Sequence, residues 1–292
     1  MAEAAISTTS AGLRIAALTS VAMLAFAANS LLCRLAMAGG RIDPASFTAL
    51  RVVSGALALS LIVMVQRRRP PPRKADWRAV AALTAYMVFF GFAYLTLKAG
   101  AGALILFGAV QLTMFAWALR AGERPRPLAW LGLAAALGGL VYLALPGLSA
   151  PDPAGCLLML LAGIAWGVYS LVGRGASDPL AQTTGNFIYT APIVLIVAAV
   201  SVARLHVTPE GAGLAAASGA LASGCGYAIW YAALRGLTSA RAAMVQLSVP
   251  AIAALGAVLL LAEPLTPRLM IASALTLGGV GLALWRRTRR QA

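Results

Sequence analysis

The sequence predicts an all-α integral membrane protein of ten transmembrane helices, built as two inverted five-helix repeats with both termini cytoplasmic. Three observations carry that expectation. Apolar residues make up 61% of the chain and charged ones only 11%, Lys and Arg collect in alternate connections, and the two halves match one another at a fixed spacing. A soluble domain is roughly half apolar and about a quarter charged, so this chain has too few charges to cover an aqueous surface. Its mean hydropathy of +0.87 agrees. Lipid is the natural solvent for most of it.

A helix that crosses the hydrocarbon needs about 20 apolar residues. By that measure the first half offers spans at 15–37, 44–65, 79–97, 101–119 and 128–146, and the second at 154–173, 185–203, 211–233, 240–261 and 269–285. The connections are short and marked by Asp43-Pro44, Arg69-Pro70-Pro71-Pro72, Pro125-Arg126-Pro127, Pro151-Asp152-Pro153 and Asp178-Pro179. Proline stops helices there because it lacks an amide donor and restricts its predecessor. Ten spans place both termini on one side. Seventeen Lys and Arg fall on that side, against six (Arg34, Arg41, Arg51, Lys98, Arg204 and Arg268) on the other, and an excess of Lys and Arg marks the cytoplasmic face. Arg14 precedes an apolar run through Ala25-Phe26-Ala27 in the manner of a signal peptide, but the run continues to Met37, past the reach of a cleaved segment.

The formal net charge of +15 would suggest nucleic acid in a soluble protein, but no basic domain exists to carry such binding. Cys33, Cys156 and Cys225 lie in apolar runs at unrelated spacings, and the single histidine, His206, lies in a connection. They read as small core residues and a loop residue, so no metal, cofactor or disulfide is expected. Arginine far outnumbers lysine, as in bacteria with GC-rich genomes, and the expected location is a bacterial inner (plasma) membrane.

The two halves align as residues 1–150 and 151–292. Glu123 matches Glu263, Pro127 matches Pro267, and Gly138-Gly139 match Gly278-Gly279, each 140 residues apart; Ser30, Leu31 and Arg34 match Ser170, Leu171 and Arg174 at the same offset. Tyr94 through Lys98 corresponds to Tyr231 through Arg235 at an offset of 137. Five helices is an odd number, so the second copy lies upside down. Inverted repeats typify secondary transporters that hold substrate near the midplane where the halves meet. A duplicated helical scaffold without transport would leave the same pattern.

Glu-Pro-Leu at 263–265, after Gln246-Leu247-Ser248-Val249-Pro250, resembles the EamA family of the drug/metabolite transporter superfamily, as do Gly-Glu-Arg at 122–124 and Arg51. The resemblance covers essentially the whole chain. Within the family, the length and the aromatic-rich spans are similar to the YddG-type amino-acid exporters. The resemblance implies export of a small metabolite, with amino acids, aromatic ones included, the leading class. One departure is Val110 where the second half has Pro250.

None of the eight acidic residues, Glu3, Asp43, Asp76, Glu123, Asp152, Asp178, Glu210 and Glu263, lies mid-span. A charge at the bilayer centre costs roughly 2.5–3.5 kcal/mol on insertion scales, so a proton relay built on an intramembrane carboxylate is not expected and a facilitator is. Glu123 and Glu263 stand just before the fifth and tenth spans, where a carboxylate meets the positive helix end; capping and gating are both open to them. Arg34 and Arg174 can snorkel from helix ends, and Arg51 lies deeper with no partner legible in the sequence.

The candidate substrate-binding residues are aromatic and polar side chains at repeat-related positions. Phe26 and Asn29 answer Trp166 and Tyr169; Phe90 and Tyr94 answer Tyr227 and Tyr231. Each pair lies three or four residues apart, hence on one helix face. Tyr86, Gln111, Gln246 and Ser248 extend the set. Intramembrane polar faces should avoid lipid, which predicts a neutral, aromatic-lined central cavity suited to a zwitterion or a planar apolar molecule. Helix packing with interhelical hydrogen bonds is the plainer alternative, and Trp230, Tyr231, Trp77, Trp117, Trp130 and Trp285 also suit an interfacial aromatic belt. Pro192 and Pro250 are the candidate hinges, and Gly163 with Gly167 a small-residue packing motif.

A multidrug or nucleotide-sugar carrier is the alternative within transport, and a receptor or scaffold the alternative outside it. An intramembrane enzyme is not expected. A serine protease would need a histidine base in the membrane, and a metal-dependent transferase would need clustered acids. The expected partners are a small-molecule substrate and the bilayer.

Overall fold

The computed structural model describes residues 2–66, 74–122, 125, 127–147, 150–174 and 176–284, with side chains from residue 12 onward apart from those of 204, 239 and 240. Glu123, Arg124, Trp285, the arginine-rich stretch 67–73 and the tail beyond 284 lie outside the described residues. The described chain is helical. Its ten crossings are α1 (Ala2–Ala38), α2 (Pro44–Val65), α3 (Trp77–Ala93), α4 (Ala99–Arg120), α5 (Pro127–Ala144), α6 (Pro153–Val172), α7 (Pro179–Val200), α8 (Pro209–Leu234), α9 (Arg241–Leu261) and α10 (Pro267–Leu284). All but the shorter α3 are long and apolar enough to cross a membrane. Two faces result: a terminal face, where the described helices α1 and α10 respectively begin and end, and a distal face opposite.

The Asp-Pro pairs begin helices as well as end loops. Asp43, Asp152 and Asp178 N-cap α2, α6 and α7, accepting from Ser46 N at 2.9 Å, Gly155 N at 2.7 Å and Ala181 N at 3.2 Å, each with Pro at the first helical position. There a missing amide costs nothing and a side-chain oxygen satisfies a free N–H. The capped start moves α7 to Pro179, six residues before the expected 185. The polar run Gln182-Thr183-Thr184 depressed the hydropathy, yet Thr183 and Thr184 are buried in the bundle. Conversely α3 ends at Ala93, short of the expected 97, and Tyr94 caps it before a turn.

The helices pair as two related sets. α2 packs on α7, α4 on α9 and α5 on α10, each helix on its own counterpart; α6 lies against α3 and α4, as α1 lies against α8 and α9. This is the pattern of a two-fold axis in the membrane plane. At the α5–α10 crossing a Cβ on Gly132 would collide with the Gly279 carbonyl, and one on Gly139 with Thr276, whereas Gly138 and Gly278 face open space. Only one glycine of each doublet serves the contact. Gly163 and Gly167 admit Ala109 and Thr113 of α4, the small-residue packing expected.

Two helices depart from α geometry. The middle of α8, Ser218–Cys225, is π-helical. In α9 the helix breaks at Leu247, between Ser239–Gln246 and Ser248–Leu261. Pro250 lacks an N–H and its ring presses on the carbonyl four residues back, which is that of Gln246, so the irregularity falls before the proline itself. α7 runs unbroken through Pro192, which is exposed.

Candidate functional site

Six rings form a continuous column through the bundle. Tyr94 meets Phe90 at 4.9 Å between centroids, Phe90 meets Tyr86 at 5.5 Å and Tyr86 meets Trp166 at 4.6 Å. Trp166 then stacks on Tyr227 at 5.6 Å and 23°, and Tyr227 on Tyr231 at 6.1 Å and 19°. Tyr169 joins at Trp166, and Phe26 and Phe187 at Tyr227. Spacings of 4.5–7 Å are those of favourable aromatic pairs. The column starts at Tyr94 near the distal face and ends at Tyr231 near the terminal face. Gly102 makes room for it, since a Cβ there would meet the Tyr94 ring at 2.5 Å. Trp230 and Tyr231 do not belong to a lipid-facing belt: Trp230 is buried against Phe26, and the Tyr231 hydroxyl shares a 2.7 Å hydrogen bond with Thr183. Trp77, Trp117 and Trp130 do lie exposed.

Two polar centres flank the column. In the first, Arg51 of α2 is 1% exposed. It donates from Nη2 to the Tyr86 hydroxyl at 3.0 Å and, at a longer 3.5 Å, to Ser223 Oγ. Its guanidinium lies 4.6 Å from the Phe90 ring centre and 5.5 Å from that of Tyr86, within cation–π range. Asn29 Oδ1 accepts from Ser218 at 2.8 Å and from Ser223 at 3.2 Å. The π-helical turn makes that pairing possible: residues five apart diverge by about 140° on an α-helix of 3.6 residues per turn but share a face on the wider spiral. Gly219 permits the close approach of α8, because a Cβ there would strike the Arg51 carbonyl. The second centre holds Thr183, Tyr169 and Asn186, with Tyr169 donating to Thr183 at 3.4 Å and Asn186 Nδ2 donating to the Tyr169 hydroxyl at 3.3 Å.

The expected site residues therefore divide. Phe26, Tyr86, Phe90, Tyr94, Trp166, Tyr169, Tyr227 and Tyr231 meet in one cluster and Asn29 stands beside it. Among the described residues, none of the contacts that tie the cluster together reaches Gln111, Gln246 or Ser248. Gln111 is buried on α4, Gln246 adjoins the α9 break, and Ser248 spends its hydroxyl on the Val245 carbonyl at 2.7 Å. The centre is not neutral as expected, because Arg51 places a cation among the rings. Thr183, Asn186, Ser218 and Ser223 were missed. Polar residues near a span's start read as loop, and nothing in the sequence marks a π turn.

The distal face is tied across the two halves. Arg34 Nε donates to Glu263 Oε1 at 3.0 Å, with both side chains mostly buried, and Arg34 also reaches the Tyr94 carbonyl at 3.3 Å. Arg34 thus pairs with an acid where snorkelling was expected. Glu263 does not cap the helix that follows it; its Oε2 accepts from Ala99 N at 2.9 Å and caps α4 of the other half. Thr96 donates to Asp152 at 3.0 Å, Arg41 pairs with Glu210 at 2.8 Å, and Ile42 bridges Val207. The Asp43 amide donates to the His206 carbonyl at 2.8 Å, and the Asp43 carboxylate accepts from His206 N at 3.1 Å. Burial would raise the Asp43 pKa, but hydrogen bonds from Ser46, His206 and Ala45 outweigh it and hold the carboxyl below its usual value. A cavity of about 190 Å³ lies over this region, lined by Thr96, Lys98, Asp152, Glu263 and Leu269 among others. α4 is buried at every residue from 99 to 111 and at none from 112 to 120. It packs on the distal piece of α9, Ser248–Leu261.

Ten apolar helices in two repeats around an aromatic and polar centre define a multi-pass membrane transporter of small molecules. The model of the EamA-like transporter family matches residues 13–145 and again 153–285, and the chain belongs to that family. It is 53% identical over 277 residues to an uncharacterized protein of Pseudomonas aeruginosa, PA1977, covering 94% of this chain and 96% of that one. It is also similar to YedA of Escherichia coli K12, described as an uncharacterized inner membrane transporter, at 25% identity over 152 residues; that match spans 50% of this chain and 49% of YedA. A solved crystal structure shares the fold with a TM-score of 0.63 at 21% identity, over 92% of this chain and 99% of that chain.

Proposed function

We propose that the protein is an alternating-access facilitator that exports amino acids, aromatic ones among them, across a bacterial inner membrane, with its termini cytoplasmic. The observation that carries this reading is the aromatic column. Three of its rings come from the first half and three from the second, so a flat side chain can slip between rings where the halves meet. Stacking suits such a ligand without fixing its identity. The cross-half bonds at the distal face and the lesser burial of α4 from 112 to 120 support a state closed on the distal side, one of the two that alternating access requires. The bias of Lys and Arg supports a cytoplasmic terminal face. The YddG-like resemblance supports the direction of transport, and YedA supports the inner membrane.

The test is flux of a labelled amino-acid panel into and out of liposomes holding the purified protein, with and without an imposed pH gradient. Flux that follows the substrate gradient alone is the expected result. Flux driven by the pH gradient would remove the facilitator reading. No flux for any amino acid would sink the substrate class and move weight to a multidrug or nucleotide-sugar carrier, or to a scaffold.

A further inference from the structure

We infer that Arg51 is the anion-holding group of the transport path, and that its ligand is a single carboxylate carried on a flat apolar body. The inference rests on the transporter reading above and names the group that its substrate must carry.

Arg51 is a permanent cation sealed inside a membrane protein. Such groups are held by carboxylates or fully hydrogen-bonded, because an uncompensated buried charge is costly. Arg51 is neither. The two ion pairs among the described residues are Arg34–Glu263 and Arg41–Glu210. Of the three guanidinium nitrogens, Nη2 has partners, while Nε and Nη1 are buried with no hydrogen-bond acceptor. The faces of Phe90 and Tyr86 soften the cost but take no N–H proton. The missing component is an oxygen anion.

The repeat shows that the fold itself does not ask for this charge. Asp43-Pro44 opens α2 and Asp178-Pro179 opens α7 with the same cap geometry. Counting from those caps, the residue matching Arg51 is Asn186. It occupies the corresponding place in the second half, is equally buried in kind, and satisfies its neighbour Tyr169 as a neutral amide. A neutral side chain therefore meets the packing need at this position, and the cation in the first half has a separate purpose.

Chemistry narrows the ligand. Among the described residues Arg34 and Arg41 are already paired with acids, so one guanidinium is left to balance one negative charge, which suits a carboxylate better than a diphosphate. The body attached to it meets rings: Phe90 and Tyr86 touch Arg51, and Trp166 follows Tyr86 at 4.6 Å. A ligand anchored at Arg51 lays its side chain along the column.

Equilibrium binding to the purified protein tests this with three probes of one shape: L-phenylalanine, 3-phenylpropionate and L-phenylalaninamide. Both acids should bind at least tenfold more tightly than the amide, and Arg51→Gln should erase that preference while Arg51→Lys keeps part of it. If Arg51→Gln fails to fold, the acid-over-amide preference of the unaltered protein decides alone. Amide and acid binding equally, an acid preference that survives Arg51→Gln, or no acid binding at all would overturn the inference. The flux panel separates the two failures: amino-acid flux without acid preference sinks Arg51 alone, and absent flux sinks the amino-acid reading on which it rests.

Discussion

Arg34 and Glu263 stand 229 positions apart in the chain and 3.0 Å apart in space, and the same carboxylate caps α4 through Ala99. One glutamate thus joins the end of α1, the start of α4 and the loop before α10. Hydrogen bonds to charged groups contribute about 1.5–3 kcal/mol each, and this set lies where the halves must part if the distal face is to open. Glu263→Gln is expected to destabilise the closed distal face by about that amount. In a background without the native cysteines, Leu97→Cys, which is fully buried below the latch, should label faster with a membrane-impermeant thiol reagent when Glu263→Gln is added. Unchanged labelling would show that the pair is ornamental to gating.

The repeat supplies an opposite partner. Arg174 and Glu123 lie 140 residues before or after Arg34 and Glu263 in the alignment of the halves. If they latch the terminal face in the other state, Glu123→Gln should slow the labelling of the same Leu97→Cys reporter, by favouring the state in which the distal face is shut.

Trp166 sits at the centre of the column, between Tyr86 and Tyr227. Each aromatic pair contributes about 0.5–1.5 kcal/mol beyond area burial, and about 1.4 kcal/mol is tenfold. Trp166→Ala should lower flux of aromatic amino acids by about twofold to tenfold more than that of alanine. Equal losses would argue against direct stacking of the substrate.

Gly219 and Gly138 predict opposite outcomes for the same substitution. At Gly219 a Cβ runs into the Arg51 carbonyl and Ser54, and overpacking costs about 1–3 kcal/mol, so Gly219→Ala should lower the melting temperature in detergent. Gly138 meets open space, and Gly138→Ala should be neutral or raise it slightly.

Asp43 ties the start of α2 to His206, and its depressed pKa sets a pH window. Because the folded pKa lies below the unfolded value, near 3.9, its stabilisation is fully present above that value. It is lost as the pH falls through the folded pKa. The melting temperature gap between the unaltered protein and Asp43→Asn should be constant from pH 7 to pH 5 and close in more acid solution. A gap that narrows already near neutrality would contradict the hydrogen-bonded carboxylate.

Hydropathy made the ten crossings legible because lipid demands long apolar runs, and the repeat made the aromatic residues legible as a set. Elsewhere the local signal pointed the wrong way. Thr183 and Asn186 look like a loop edge, yet they are buried because Tyr169 and Tyr231 give them partners. Glu263 reads as a cap for the helix beside it, and tertiary packing sends it to α4 in the other half. The Arg51 environment depends on a π turn in α8 that only the packed structure reveals, since Ser218 and Ser223 would diverge on an ordinary helix.

The column changes owner once. Tyr94, Phe90 and Tyr86 ride on α3, while Trp166, Tyr227 and Tyr231 ride on α6 and α8, and the crossing between the two sets is the 4.6 Å contact of Tyr86 with Trp166. Because α6 packs along α3 and α4, Trp166 travels with α3, and any rocking of those helices against α8 concentrates its shear at the stacked contact of Trp166 with Tyr227. The indole of Trp166 is therefore a built-in optical strain gauge, whose emission would follow the rocking of the halves once the other five tryptophans are replaced.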